Sequence, residues 1–325
     1  MVDWRIYHLP RILSNRGSPL PTYGMLLAFT VSLLRASTLS PAYSYQDSVS
    51  GASEATSQIL LSICDDTGNT VPAPSKESMQ LHIGGQLVEI REIRSMKDSP
   101  LFFSVLVDVS GSSKQFAEQQ ISAATKLFRE LSIGDNRGYL ILFRAEFATN
   151  DHFMSVAAVE NALKQFPAQS RSGGTALYDA LIHAATEQLT PAKVPRDSRR
   201  AIFVLSDAGD NSSNKSLDQT LKVLQREGIP VSFIGFSRSK GPEMPRQMRR
   251  ELETLRAFNE GTGGWTAFLD EPGVGVEKRA ASLTNGQYLI LFKSPVLKPN
   301  KSYPLKIKSS AKHIYIMAPN EYVIP

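Results

Sequence analysis

Between residues 101 and 236 short apolar runs alternate with stretches of helical period. The runs 101–107, 139–143, 201–205 and 231–236 are rich in β-branched and aromatic residues and apolar on both faces, the pattern of strands covered on two sides. Between them Ala117, Ile121, Ala124, Phe128 and Leu131 recur at helical spacing, and Leu177, Leu181 and Ala184 repeat it before a run to about residue 189. Leu217, Leu221 and Leu224 form the next stripe, opened by a capping box of Ser216 with Gln219 and closed by Gly228. Met248, Leu252, Leu255 and Phe258 make one more, which Gly261 is expected to stop. This alternation predicts an α/β domain over 98–283 with a doubly wound, mostly parallel sheet.

Outside that stretch the pattern changes to strands without helices. An apolar run at 59–63, a turn cluster at 65–69 and an alternating segment around Leu81, Ile83, Leu87, Val88 and Ile90 predict a small β segment over 58–97. Short strands at 287–292, 305–308 and 314–317 predict a C-terminal β segment over 284–325, a candidate to pair with the first. Residues 45–57 are rich in Ser, Ala and Gly and read as a linker.

Residues 1–44 read as an export segment. Arg5, Arg11 and Arg16 precede an apolar run at 25–34, the length of a signal-peptide core and short for a bilayer span, and Ser40, Ala42 and Ser44 supply small residues for cleavage. The expectation is a secreted or cell-envelope protein, with an uncleaved N-terminal anchor as the alternative. This segment also holds three of the five net positive charges, so the body is nearly neutral and offers no electrostatic case for nucleic acid. At 325 residues with 42% hydrophobic and 21% charged positions, the chain has ordinary globular composition and excludes wholesale disorder. Cys64 is the single cysteine, which rules out an intrachain disulfide and fits a buried thiol on a strand.

Loops after the carboxyl ends of such strands are where a doubly wound sheet binds ligands. After the first run stand Asp108, Ser110 and Ser112, at alternate positions in DVSGS. Asp, Ser and Gly are also turn formers, and Ser112 or Ser113 would serve equally as a helix N-cap. Two further junctions strengthen a chemical role: SGGT at 172–175, ending in Thr175, and LSDAGD at 205–210, containing Asp207. Together they would present five oxygen-bearing side chains to one rim, a donor set suited to a hard divalent cation.

DVSGS, SGGT and LSDAGD in this order resemble a von Willebrand factor type A domain with a complete metal ion-dependent adhesion site. Further stretches, GGTALYDAL at 173–181, GTGGWTAF at 261–268 and QYLILF at 287–292, are similar to a bacterial exported family of related proteins first described from acidobacteria. The resemblance implies a Rossmann-like fold over 98–283 and a divalent cation, Mg²⁺ or alternatively Mn²⁺ or Ca²⁺, held by Asp108, Ser110, Ser112, Thr175 and Asp207. It implies a binding or adhesion module whose cation takes an Asp or Glu of a partner protein. Ala208 departs from the family's glycine at that position. Three hydroxyls do not neutralise the ion, and five protein groups leave a six-coordinate Mg²⁺ one exchangeable position.

Other chemistries find less support. An Asp-nucleophile phosphatase generally has a second Asp where Ser110 stands, and His8, His82, His152, His183 and His313 are scattered without metal-ligand spacing. No GxSxG elbow or P-loop occurs. The chain is therefore expected not to be an enzyme; a metal-dependent hydrolase and a scaffold whose metal merely locks the loops remain as alternatives. Asp179 reads as a first-turn acid or a contact to the Thr175 loop, and Asp210 as turn and cap chemistry. Arg246, Arg249 and Arg250 read as the solvated face of a helix.

Overall fold

The computed structural model describes residues 5–7, 56–150, 152–165, 171–190, 192–195, 197–236, 246–269 and 275–324. Strand β1 (Arg5–Tyr7) is followed by β2 (Thr56–Cys64), β3 (Met79–Ile83), β4 (Gln86–Val88) and β5 (Ile90–Ser95). The apolar run 25–34, the cleavage positions and most of the expected linker lie outside the described residues, and the last two linker positions, Thr56 and Ser57, belong to β2. Gly84 and Gly85, at φ +59 and +82, form the two-residue turn between β3 and β4, where both central positions need the left-handed region.

The alternating part comprises β6 (Leu101–Asp108), α1 (Ala117–Leu131), β7 (Arg137–Phe143), β8 (Phe147–Thr149), α2 (Val156–Lys164), α3 (Leu177–His183), β9 (Arg199–Leu205), α4 (Leu217–Glu227), β10 (Val231–Gly235), α5 (Arg246–Thr262), β11 (Thr266–Phe268) and α6 (Val276–Asn285). The chain closes with β12 (Gln287–Lys293), β13 (Ser302–Ser309), β14 (Tyr315–Met317) and β15 (Glu321–Val323). The capping box and the left-handed Gly228 frame α4 as expected. Two helix ends differ from expectation. After α3 the backbone widens into a π turn at Ala184–Gln188, and α5 runs through Gly261 to stop at Gly263, which takes φ +74. Gly261 stays helical where α5 packs on α4: a Cβ there would come within 2.8 Å of Leu221.

Seven strands form the main sheet in the order β1-β8-β7-β6-β9-β10-β11, with β7, β6, β9, β10 and β11 parallel, β8 antiparallel to β7, and β1 antiparallel to β8 at the edge. Side chains of β6 alternate between two cores. Phe103, Val105 and Val107 pack with α1, α2 and α6, whereas Phe102 and Leu106 pack with α3, α4 and α5. From β6 the chain winds outward through β7 in one direction and then, from β9, in the other. The β6–β9 boundary is thus the topological switch point, where a crevice opens beyond the carboxyl ends.

The two terminal β segments join into one antiparallel sandwich. One sheet has the order β14-β2-β12-β5 and the other β15-β13-β3-β4. Gln287 pairs with Ser62, Ile290 with Ile59 and Ile307 with Leu81, so each sheet contains strands from both ends of the chain. Ile63, Leu81, Ile83, Ile290 and Phe292 are fully buried between the sheets. The sandwich rests on the α/β layer through α6 against β2 and α4 against β15, and Asn320 N donates to Glu260 O at 2.8 Å. Cys64 is buried at the end of β2, where burial pushes its thiol pKa up and keeps it in the unreactive form.

Candidate functional site

At the switch point Val107 of β6 lies opposite Leu205 of β9, so the loops after the two strands start side by side. The first loop folds over the Asp108 carboxylate: Ser110 N donates to its Oδ1 at 2.9 Å, and Ser206 Oγ, from the neighbouring loop, donates to Oδ2 at 2.7 Å. Ser113 Oγ donates to the Asp108 and Ser110 carbonyls at 2.8 and 2.9 Å and closes the turn. The hydroxyls of Ser110 and Ser112 stand 3.3 Å apart. This is the local geometry expected of alternate residues in a tight loop.

The second loop is tied to both others. Gly111 N donates to Gly173 O at 3.2 Å, while Asn211 N and Ser212 N both donate to Thr175 O at 3.0 Å. Thr175 N in turn donates to Asn211 Oδ1 at 2.8 Å. Glycine is favoured at two positions here. Gly173 takes φ +81, and a Cβ on Gly174 would collide with Asn211 Oδ1 and Ser212 Oγ. In the third loop Gly209 N donates to Asp207 Oδ1 at 3.1 Å.

Asp108, Ser110, Ser112, Thr175 and Asp207 are therefore on three loops bonded into one cradle. Asp108, Ser110 and Thr175 are buried, Asp207 is half-buried and Ser112 is exposed, so the cradle opens to solvent on the Ser112 and Asp207 side. Burial pushes the Asp108 carboxyl pKa up, the hydrogen bonds from Ser110 and Ser206 pull it down, and the nearby negative charge of Asp207 raises it again. Neither carboxylate oxygen of Asp108 bonds a cationic side chain among the described residues. A buried carboxylate in that state, beside a second carboxylate and three hydroxyls, is a donor set that fits a hard dication. No three of His, Cys, Asp and Glu gather to hold a metal among the described residues, and two carboxylates and three hydroxyls make up the donors of this cradle.

Asp179 and Asp210 hold the frame. Asp210 Oδ2 accepts from Tyr178 N at 3.0 Å at the start of α3 and from Ser213 Oγ at 2.6 Å, the cap and turn roles expected of it. Asp179 Oδ2 accepts from Asn214 N at 2.8 Å, which ties α3 to the third loop. Sequence reasoning did not single out Ser206, Asn211 as the partner of Thr175, Gln120 or Arg171. Ser206 was findable, since it stands between the end of β9, which pairs with β6, and Asp207. Arg171 carries no such signal, because its contacts lie with residues distant in sequence. Ala208, at the family's glycine position, adopts φ +62 and is buried. Its methyl is accommodated, and the backbone keeps the left-handed turn a glycine would have made.

A family model described as von Willebrand factor type A domain matches residues 104–259. This part of the chain is a von Willebrand factor type A domain. Among solved structures the chain is similar to a conserved hypothetical protein, BatB from Bacteroides thetaiotaomicron, at 18% identity over 56% of this chain and 95% of that one, with a TM-score of 0.43. It is also similar to a von Willebrand factor type A protein from Catenulispora acidiphila, at 11% identity over 83% and 73% of the two chains and a TM-score of 0.43. A third is proximal thread matrix protein 1 from the mussel byssus, at 15% identity over 69% and 50%, with a TM-score of 0.44. The curated proteins contain no match.

Proposed function

We propose that the chain is a divalent-metal-dependent protein-binding module, in which a cation held by Asp108, Ser110, Ser112, Thr175 and Asp207 takes a carboxylate of a partner protein. Von Willebrand factor type A domains are often used for protein interaction and adhesion, which supports the binding class. The observation that carries the finer reading is the bonding of three loops into one open cradle at the switch point, with oxygen donors only. Mg²⁺ is the first choice of ion, with Mn²⁺ and Ca²⁺ as alternatives, and the donor set leaves it an exchangeable position. The loops are already tied by the bonds among Gly111, Gly173, Thr175 and Asn211, so a cation is not needed to lock them. That favours a binding role over a scaffold. We read the module as non-enzymatic and as working outside the cytoplasm; the basic segment and apolar run at 25–34 support export, and no described helix is long and apolar enough to cross a membrane.

The test uses the full chain immobilised on resin and a random peptide library containing Asp, beside the same library with Asn in its place. Recovery should require both the divalent ion and the Asp library, and should be lost with chelator and in Asp108→Ala. Equal recovery across wild type, chelated wild type and the variant would reject the reading.

A further inference from the structure

Arg171 is buried, with 3% of its surface exposed, and lies beneath the first loop. Its Nη1 donates to Asp108 O at 2.9 Å and Ser113 Oγ at 3.1 Å and also to Gln120 Oε1. Nε and Nη2 are buried without a hydrogen-bond partner among the described residues. A guanidinium so poorly satisfied is costly to bury. Burial pulls its pKa down and the Asp108 charge pulls it back up, so the field of the site contributes to holding the charge there.

Negative groups otherwise crowd this rim. Asp108 and Asp207 alone would neutralise a dication, and Glu251 of α5 is buried with its carboxylate close to Gly209. An approaching carboxylate would meet little attraction from an ion already balanced by its own ligands. Arg171 shifts that balance by one positive unit at short range, and its hydrogen bonds go to the Asp108 main-chain carbonyl, Ser113 and Gln120, none of them a proposed ligand atom. We propose that Arg171 is the built-in countercharge of the site: it loosens the cation and keeps the loaded site positive, so that the site selects an anionic partner group instead of storing a self-neutralised metal. This rests on the dication reading above and adds to it the residue that sets the charge of the loaded site.

The sign of the change in ion affinity separates this role from a purely structural one. If Arg171 only propped up the loop through its hydrogen bonds, removing it would weaken the ion. If its charge matters, removing it tightens the ion. Mn²⁺ dissociation constants, measured by electron paramagnetic resonance on the full-length wild type, Arg171→Met and Arg171→Lys, provide the test. Capture of a fluorescent Gly-Ser-Asp-Gly-Ser peptide at saturating Mn²⁺ provides the second readout. In Arg171→Met the ion should bind about tenfold tighter and the peptide about tenfold more weakly, whereas Arg171→Lys, which keeps the charge and loses the fork, should stay within about threefold of wild type on both. Unchanged or weaker Mn²⁺ binding by Arg171→Met overturns the inference. Should that variant not fold, a tenfold loss of Mn²⁺ affinity in Arg171→Lys overturns it, because the role would then be geometric. Wild type that takes up no Mn²⁺ fails the dication reading itself and this inference with it, an outcome distinct from the other two.

Discussion

The parallel sheet is assembled from segments that follow one another, whereas the sandwich joins Ser62 to Gln287 and Leu81 to Ile307 across the whole α/β layer. The two regions also differ in what they bury. Where β6 and β9 end, the α/β layer buries Asp108, Ser110, Thr175 and Ser206 together, whereas the buried polar residues on the sandwich strands are the uncharged Ser62 and Gln287. One region carries the converging side chains, and the other packs against it through α6 and α4. A buried charge is tolerated where a ligand or a countercharge can answer it, and the sandwich contains no such cradle.

Core truncations on either side should have the largest effects. Phe103→Ala, on the central strand β6, should cost about 3–5 kcal/mol, and Ile290→Ala, on β12 in the sandwich, about 2–5 kcal/mol. Because β2 contacts α6 and β12 follows it directly, both variants should show a single melting transition, with Trp265 fluorescence and far-ultraviolet circular dichroism coinciding. Two separated transitions would show that the regions unfold independently.

The next effect belongs to the site. Divalent ion at a hundred times its dissociation constant should stabilise wild type by about 2.7 kcal/mol, and Asp108→Asn should lose that response. In chelator the same substitution should have the opposite sign. Folding raises the Asp108 carboxyl pKa, so its contribution is most favourable below the ordinary carboxylate range and is lost as pH rises through the raised value. Metal-free Asp108→Asn should therefore melt above metal-free wild type at pH 7, and the difference should shrink as the pH is lowered. A wild-type advantage in chelator at pH 7 would contradict this.

Smaller effects come from single turns of the α/β layer. Ser216→Ala removes the N-cap acceptor of α4 and should cost about 1 kcal/mol by thermal melting. Ala208→Gly relieves a left-handed alanine but gives up a buried methyl, so it should raise stability by less than about 1 kcal/mol. A loss of several kcal/mol would mean that the methyl matters more than the backbone.

The same contrast explains what was legible in the sequence. Strands covered on both faces read as continuous apolar runs, so β6, β7, β9 and β10 and helices α1, α3 and α4 were visible, and the ends of β6 and β9 marked two of the three loops. Strand β8, helix α2 and strand β15 are short or weakly patterned, and tertiary packing rather than local preference fixes them. The strands on either side of the α/β layer were visible one by one. Their union into a sandwich was left open, because alternation shows which face of a strand is buried and not which distant strand covers it. In the cradle, the motifs exposed the five oxygen-bearing residues. Ser206, Asn211 and Arg171 act through contacts that only the folded loops create.

Calorimetric titration of Mg²⁺ into the chelator-stripped full chain, wild type beside Asp108→Ala, decides whether the cradle holds a cation. One ion should bind per wild-type chain and none in the variant. No uptake by wild type, or equal uptake by both, would contradict a cation held by the loops after β6, before α3 and after β9.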